Sequence, residues 1–115
     1  MTRQTWPISW IKAARKDFEK FPLEAQETCL TALTIAAEGG KADLAKLLTG
    51  LGSGVFEIAL PYRGNAYRVV YAVQIADAIW VIHAFQKKST TGIKTPKPEI
   101  DLVKSRLKAL KEILR

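Results

Sequence analysis

The order of sequence patterns predicts an α+β fold in which helices pack on an antiparallel sheet. Apolar residues recur at helical spacing up to about residue 38, alternate between residues 55 and 86, and return to helical spacing after residue 96. The connections between the predicted strands are short enough to force antiparallel pairing. With 115 residues, of which 48% are hydrophobic and 25% charged, the chain has the size and composition of one globular domain.

The N-terminal segment predicts a short strand followed by an amphipathic helix. Pro7 excludes the interior of a helix or a central strand, so we interpret Trp6 to Trp10 as an edge strand or lead-in. Apolar side chains then recur every three or four residues, with charged residues between them, and the helix ends near Phe21. These apolar residues are Ile11, Ala14, Phe18 and Phe21.

A second helix begins at Pro22, a residue type suited to the first helical position. Gly39 and Gly40 supply its left-handed stop. Its predicted buried stripe consists of Leu23, Leu30, Leu33 and Ala37, with Cys29 nearby. Because almost no linker separates the two helices, we expect an antiparallel helical hairpin.

Three strands and a final helix are predicted after a connector over residues 41–54. The strands are rich in Val, Ile, Tyr, Phe and Trp and cover Val55 to Leu60, Ala66 to Ile75 and Ile79 to Gln86. Thr95 and Pro96 suit the cap and first position of the last helix. Its apolar stripe comprises Ile100, Val103, Leu107, Leu110 and Leu114. We expect the helices to share one face of the sheet.

Positive charge is concentrated in the second half of the chain. There are 18 Lys and Arg against 11 Asp and Glu, which gives a net charge of +7. Residues 1–54 contribute +1 of this charge and residues 55–115 contribute +6. A surplus confined to one half is typical of a surface that binds a polyanion such as RNA or DNA, and a solvated basic face fits it equally well.

The residues present argue against several classes of site and location. A metal site needs three or four converging ligands, whereas the chain has one histidine, one cysteine and no cluster of acids. No Gly-x-Ser-x-Gly motif is present, and Gly50, Gly52 and Gly54 lack the following Lys and Ser or Thr of a phosphate-binding loop, so they indicate a turn. We find neither a signal-peptide pattern nor a segment of membrane-spanning length. With Cys29 as the single cysteine, we expect a reducing cytoplasm.

Basic and aromatic residues at strand positions are the remaining candidates for chemistry. Alternation places Arg68 on the side of its strand opposite Tyr67 and Tyr71. Arg68 is then either a strut paired with an acid such as Glu57 or a phosphate ligand.

The end of the last strand offers further candidates with two interpretations. Lys87 and Lys88 either bind a polyanion or are solvated charges that discourage sheet aggregation. His83 shares a side of its strand with Phe85, which by itself indicates a half-buried core residue.

Four motifs occur in order along the chain. They are Gly54-Val55-Phe56-Glu57-Ile58, Tyr67-Arg68-Val69-Val70-Tyr71, His83-Ala84-Phe85-Gln86-Lys87-Lys88 and Lys94-Thr95-Pro96. Together they resemble the RelE/ParE superfamily of bacterial toxins, specifically its phage-derived branch related to HigB. The resemblance covers nearly the whole chain and implies a single small RelE-like domain with an N-terminal strand, a helical hairpin, an antiparallel sheet and a C-terminal helix.

The resemblance implies a type II toxin that enters the ribosomal A site, cuts translated mRNA and inhibits translation. The implied reaction is a metal-independent transesterification, in which the RNA 2′-hydroxyl attacks the adjacent phosphate and the 5′-oxygen leaves. The implied catalytic residues are Arg68, Lys87, Lys88 and His83. The implied RNA-binding residues are Lys46, Arg63, Tyr71 and Lys94. The segment after Lys88 lacks a tyrosine that some relatives carry, and Tyr71 and His83 are candidate substitutes for it.

The resemblance also implies a helix-turn-helix antitoxin, the ribosome and mRNA as partners, and neither a membrane nor a small-molecule cofactor. Two alternatives stay open. One is a ParE-like protein that inhibits DNA gyrase without cutting RNA, and the other is an inactive prophage remnant. Arg68, Lys87 and Lys88 favour the nuclease, because the gyrase-directed branch does not need them.

Overall fold

The computed structural model describes residues 5–87 and 94–114. Within these residues the chain forms five strands and three helices. Their order is β1 (Ile8–Trp10), α1 (Lys12–Phe18), α2 (Leu23–Ala37), β2 (Ala45–Leu47), β3 (Val55–Tyr62), β4 (Asn65–Ile75), β5 (Ala78–Lys87) and α3 (Lys97–Ile113). The predicted α+β class is confirmed.

The strands form one mixed sheet in the order β1-β5-β4-β3-β2. The predicted meander of β3, β4 and β5 is antiparallel throughout, and β2 extends it from residues that the sequence patterns assigned to a connector. β1 pairs in parallel with β5, so that Ile8 lies opposite Ile79. Parallel pairing requires a long crossover, which α1, α2 and the meander supply.

Helices cover both faces of the sheet, which corrects the expectation that they share one face. α1 and α2 pack on the face that carries Val69 and Tyr71, and α3 packs on the opposite face, which carries Val70 and Ala72. These four consecutive residues of β4 are all at most 1% exposed. A strand that is apolar on both sides needs cover on both sides.

The buried side of α2 differs from the predicted leucine stripe. Leu33 is fully buried as predicted, but Leu23 is 76% exposed and Leu30 is 41% exposed. The side that meets the sheet carries mostly small residues, namely Ala25, Cys29, Ala32, Leu33, Ala36 and Ala37. Their small side chains let the helix lie close to the sheet, so the stripe follows helical spacing rather than side-chain size.

The helix starts also differ slightly from the predictions. Pro22 and Pro96 are the N-cap residues of α2 and α3 rather than their first helical residues, and neither cap has a side-chain hydrogen bond. The hydroxyl of Thr95, predicted to cap α3, binds the side chain of Glu57 instead. The contact of Thr95 with Glu57 therefore replaces the local cap. At the other end of α3, Leu114, the last residue of the predicted stripe, is 36% exposed.

A two-residue turn connects β4 to β5. Ile75 pairs with Ala78, and the intervening Ala76 and Asp77 have φ angles of 49° and 56°. Left-handed φ at both central residues is the geometry of a type I′ hairpin turn, which Asn-Gly pairs usually occupy. This connection stores backbone strain, because neither residue is glycine.

Candidate functional site

Pairing across the sheet collects the predicted polar residues on the face that α3 covers. Glu57 of β3 lies opposite Lys46 of β2, and Arg68 of β4 lies opposite Phe85 of β5. Val70 lies between Glu57 and His83, its partners on the two neighbouring strands. Residues directly opposite each other in antiparallel strands point to the same face. We call the set Lys46, Glu57, Arg68, His83 and Lys87 the polar sheet face.

Arg68 forms a buried ion pair at the centre of this face. Its Nη1 lies 2.9 Å from Oε1 of Glu57, and the two side chains are only 6% and 9% exposed. Thr95 joins them: its hydroxyl donates to Oε2 of Glu57 at 2.7 Å and accepts from Nη1 of Arg68 at 3.4 Å. Of the two interpretations of Arg68, the structure therefore shows the first, an arginine that is paired with Glu57 within the sheet.

His83 is the centre of a second buried polar group. Its ring is held between Glu99 and Arg106 of α3, with Nε2 at 2.7 Å from Oε2 of Glu99 and Nδ1 at 3.0 Å from Nη1 of Arg106. Because a guanidinium can only donate, Nδ1 accepts and Nε2–H donates to the carboxylate. Arg106 also donates to the carbonyl of Ile82 at 3.0 Å. His83 is 4% exposed, so it is fully buried rather than half-buried as expected, and both of its ring nitrogens are hydrogen-bonded.

The accessible cations predicted for the site lie in three separate places. Lys87 is partly exposed and donates to the carbonyl of Lys94 at 3.2 Å, and Lys94 itself is exposed. Lys46 is exposed on edge strand β2. Arg63 is exposed in the β3–β4 turn, where its guanidinium lies 5.2 Å from the ring centre of Tyr62, whose hydroxyl donates to Glu24 of α2. Lys88 lies outside the described residues.

Tyr71 does not belong to the polar sheet face. It points to the opposite side of β4, is 1% exposed, and stacks on Phe56 with ring centres 5.5 Å apart. Burial raises the pKa of Tyr71 to about 12. The prediction that Tyr71 contacts RNA is therefore wrong for this structure, because its ring is part of the hydrophobic core.

An open cavity of about 430 Å³ lies beside His83, between the end of α1, β5 and the start of α3. Phe21, Phe85 and Leu102 give it apolar walls, and Asp17 and Lys20 line its α1 side. His83 lines this cavity, whereas Arg68 does not.

Three residues of the site were missed by sequence analysis, namely Thr95, Glu99 and Arg106. Thr95 was interpreted as a helix cap and as part of the fourth motif, and no side-chain partner was predicted for it. Glu99 and Arg106 are seven residues apart, two helical turns, and flank the predicted stripe that contains Val103. That spacing was the available signal, since a carboxylate and a guanidinium beside a buried stripe need a polar partner.

Neither a cluster of metal-ligating side chains nor a helix of membrane-spanning character is found in the described residues. Between residues 5 and 87 and between 94 and 114, no group of three or more His, Cys, Asp and Glu side chains is arranged to hold a metal ion. In the same residues, no helix combines the length and the apolar character that crossing a membrane requires.

A family described as "Phage derived protein Gp49-like (DUF891)" matches residues 16–108. The chain belongs to this family. Among curated proteins, none matches the chain. The recognised likeness to the phage-derived branch is thus confirmed.

Solved structures show that this Gp49-like chain has a RelE-like fold. A mutant of the E. coli toxin RelE in the free state is 22% identical, with a TM-score of 0.61, and the match covers 96% of this chain and 99% of that one. Isolated E. coli RelE is 22% identical, with a TM-score of 0.57 and coverage of 87% and 97%. The toxin–antitoxin complex RelBE2 from Mycobacterium tuberculosis gives 16% identity, a TM-score of 0.51 and coverage of 76% and 98%.

Proposed function

We propose that the chain is the toxin of a type II toxin–antitoxin system and acts as a ribosome-dependent mRNA endoribonuclease. The Gp49-like family and the RelE-like fold support this proposal. The observation that carries it is the sheet register, which aligns Lys46, Arg68, His83 and Lys87 on one face. Cations gathered on one surface can bind RNA phosphates and stabilise a pentacovalent phosphorane without a metal ion.

The accessible cations are assigned to binding. Lys87 and Lys94 at the rim, with Lys46 and Arg63, are exposed enough to reach phosphate oxygens. Lys88 follows Lys87 directly. The family resemblance implies that both are catalytic, so at the bound phosphate they would also stabilise charge on the phosphorane. Binding through lysine–phosphate contacts weakens as the salt concentration rises, and each additional contact makes this salt dependence steeper.

The buried groups are assigned to chemistry. Arg68 would stabilise negative charge on the phosphorane, and His83 would move a proton from the 2′-hydroxyl or to the leaving oxygen. In this structure Thr95 and Glu99 cover both side chains. Direct contact with RNA therefore requires Thr95 and the start of α3 to move away from the sheet, which would free Nε2 of His83. Release of Nδ1 would require Arg106, two helical turns beyond Glu99, to move as well.

The decisive experiment is to induce the protein in bacterial cells and to map new mRNA 5′ ends while monitoring DNA supercoiling and the SOS response. The proposal expects new ends within translated messages and unchanged supercoiling. A Lys87→Ala, Lys94→Ala double variant should reduce the new ends by at least about tenfold. A matched Lys108→Ala, Lys111→Ala variant, which removes two exposed lysines from the far half of α3, should leave cleavage nearly unchanged.

Other outcomes identify the alternatives. SOS induction with intact mRNA would refute the nuclease and favour a gyrase inhibitor. Growth and mRNA that both stay normal at high expression would point to an inactive remnant.

Neutralisation by a helix-turn-helix antitoxin is part of the same proposal. A protein of this class encoded by the adjacent reading frame should restore growth when it is co-expressed with the chain. If the neighbouring protein restores growth without binding the chain, the proposed pairing is wrong.

A further inference from the structure

We propose that the outer side of α2 is a docking surface for a basic, amphipathic helix of another protein. The surface consists of the exposed residues of α2 and the groove between α2 and residues 42–44. It lies across the sheet from the polar sheet face, because α2 packs on the face that carries Tyr71. A partner bound there would leave the polar sheet face open.

The outer side of α2 exposes two leucines between its acidic and threonine residues. Leu23 and Leu30 are 76% and 41% exposed, although the inner side of the same helix is already packed on the sheet. Leu47, 55% exposed, extends apolar surface along β2, since it lies opposite Phe56 on the sheet face where α2 packs.

The threonines of α2 make this surface still less polar. Thr28, Thr31 and Thr34 each donate a hydroxyl hydrogen bond to the backbone carbonyl four residues earlier, at 3.1, 3.0 and 2.8 Å. A hydroxyl turned towards the helix backbone leaves its methyl group towards solvent. Three residues that are polar by type therefore present methyl groups to an incoming partner.

A groove beside these methyl groups offers a place for apolar side chains. It has a volume of about 270 Å³, and its walls are mainly apolar. Thr28, Thr31 and Ile35 line it on the helix side, and Ala42 and Leu44 line it on the other. Burial of leucine-sized side chains in such a groove is the usual way in which an amphipathic helix docks.

The charges around the groove select a basic partner and exclude a nucleic acid. No Lys or Arg occurs from residue 21 to residue 40. Lys41, which adjoins the groove, donates its Nζ to the carbonyls of Ala42 and Ala45 at 3.5 and 2.9 Å. Glu24, Glu27 and Glu38 lie on or at the end of α2, and Asp43 lines the groove. An acidic rim repels phosphates and attracts Lys and Arg.

A labelled peptide provides the test with the whole chain. The probe is a fluorescent amphipathic peptide of about 14 residues made of Leu and Lys at helical spacing, and its control carries Glu in place of each Lys. The chain's net charge of +7 favours the Glu peptide by general attraction. Tighter binding of the Lys peptide, measured by fluorescence anisotropy, is expected from the local acidic groove. Equal or tighter binding of the Glu peptide would overturn the proposal, as would no binding of either.

Matched variants locate the binding. Leu23→Ala with Leu30→Ala, and separately Glu27→Lys, should each weaken binding of the Lys peptide by about tenfold. The controls Ile113→Ala and Glu112→Lys, at exposed positions of α3, should change it by less than about twofold. Equal losses in both sets would refute the location.

Light scattering distinguishes a second copy from another protein. The chain's own α3 carries exposed lysines and Ile113, so a second copy could also approach the groove. A monomer at all concentrations supports the proposal. Concentration-dependent assembly that Glu27→Lys disperses would overturn it, because the occupant would then be the chain itself.

Discussion

Removal of Glu57 should destabilise the protein more than almost any other single polar substitution. The carboxylate holds Arg68 at 2.9 Å and Thr95 at 2.7 Å, and the two charged side chains are less than a tenth exposed. Glu57→Ala leaves the guanidinium buried without that carboxylate, which costs about 3–5 kcal/mol. Since the total stability of a domain is about 5–15 kcal/mol, the variant should be close to unfolding.

A double-mutant cycle measures this cost by urea unfolding, followed by circular dichroism. Arg68→Met alone leaves Glu57 buried without its cation and should also cost about 3–5 kcal/mol. The double variant Glu57→Leu, Arg68→Met removes both charges, and its cost should fall short of the sum of the single costs by at least about 2 kcal/mol. Additive costs, or a Glu57→Ala cost below about 1 kcal/mol, would refute the argument that Glu57 and Arg68 are a desolvated pair.

Three further predictions concern the core and one turn. Leu33→Ala should cost about 2–5 kcal/mol in urea unfolding, whereas Leu30→Ala should stay within about 0.5 kcal/mol; equal costs would contradict the burial of α2. Ala76→Asn with Asp77→Gly should relieve left-handed strain and stabilise by about 1 kcal/mol, read as a rise in melting temperature of about 4 °C; a fall would refute the strain. Stability should decline as the pH rises from about 10, where unfolded tyrosine ionises, to about 12, where Tyr71 does. Tyr71→Phe should flatten this decline, and an unchanged slope would exclude Tyr71 as its cause.

The face of the sheet to which each strand residue points was predictable from the sequence, because side chains alternate strictly along a strand. Arg68 was separated correctly from Tyr67 and Tyr71, and the antiparallel meander followed from its short turns. The inner side of α2 was predicted only in part: Leu33, Ala37 and Cys29 are buried, but the exposed Leu23 and Leu30 were chosen because of their size. The buried positions follow helical spacing from Ala25, and their small side chains gave only a weak signal.

Long-range contacts account for what the sequence patterns missed. β1 and β2 have three residues each, too few to establish a period, and their partners are chosen by the rest of the sheet. The accessibility of the candidate site depends on which face of the sheet α3 covers. The sequence did not determine that face, because the strands are apolar on both sides. Thr95 and Glu99 therefore became visible as site residues only through their contacts with Glu57 and His83.

The parallel pairing of β1 with β5 sets the order in which the chain can fold during synthesis. Residue 8 pairs with residue 79, and the backbone N–H of Ile11 donates to the carbonyl of Val81, so the first strand has no partner until β5 has emerged from the ribosome. Contacts so distant in sequence slow folding, because a long loop must close first. Until then Ala14 and Phe18 of α1 have no β5 to pack against. The protein therefore completes its sheet late in its own synthesis, and chains that end before β5 should remain unfolded and prone to aggregate.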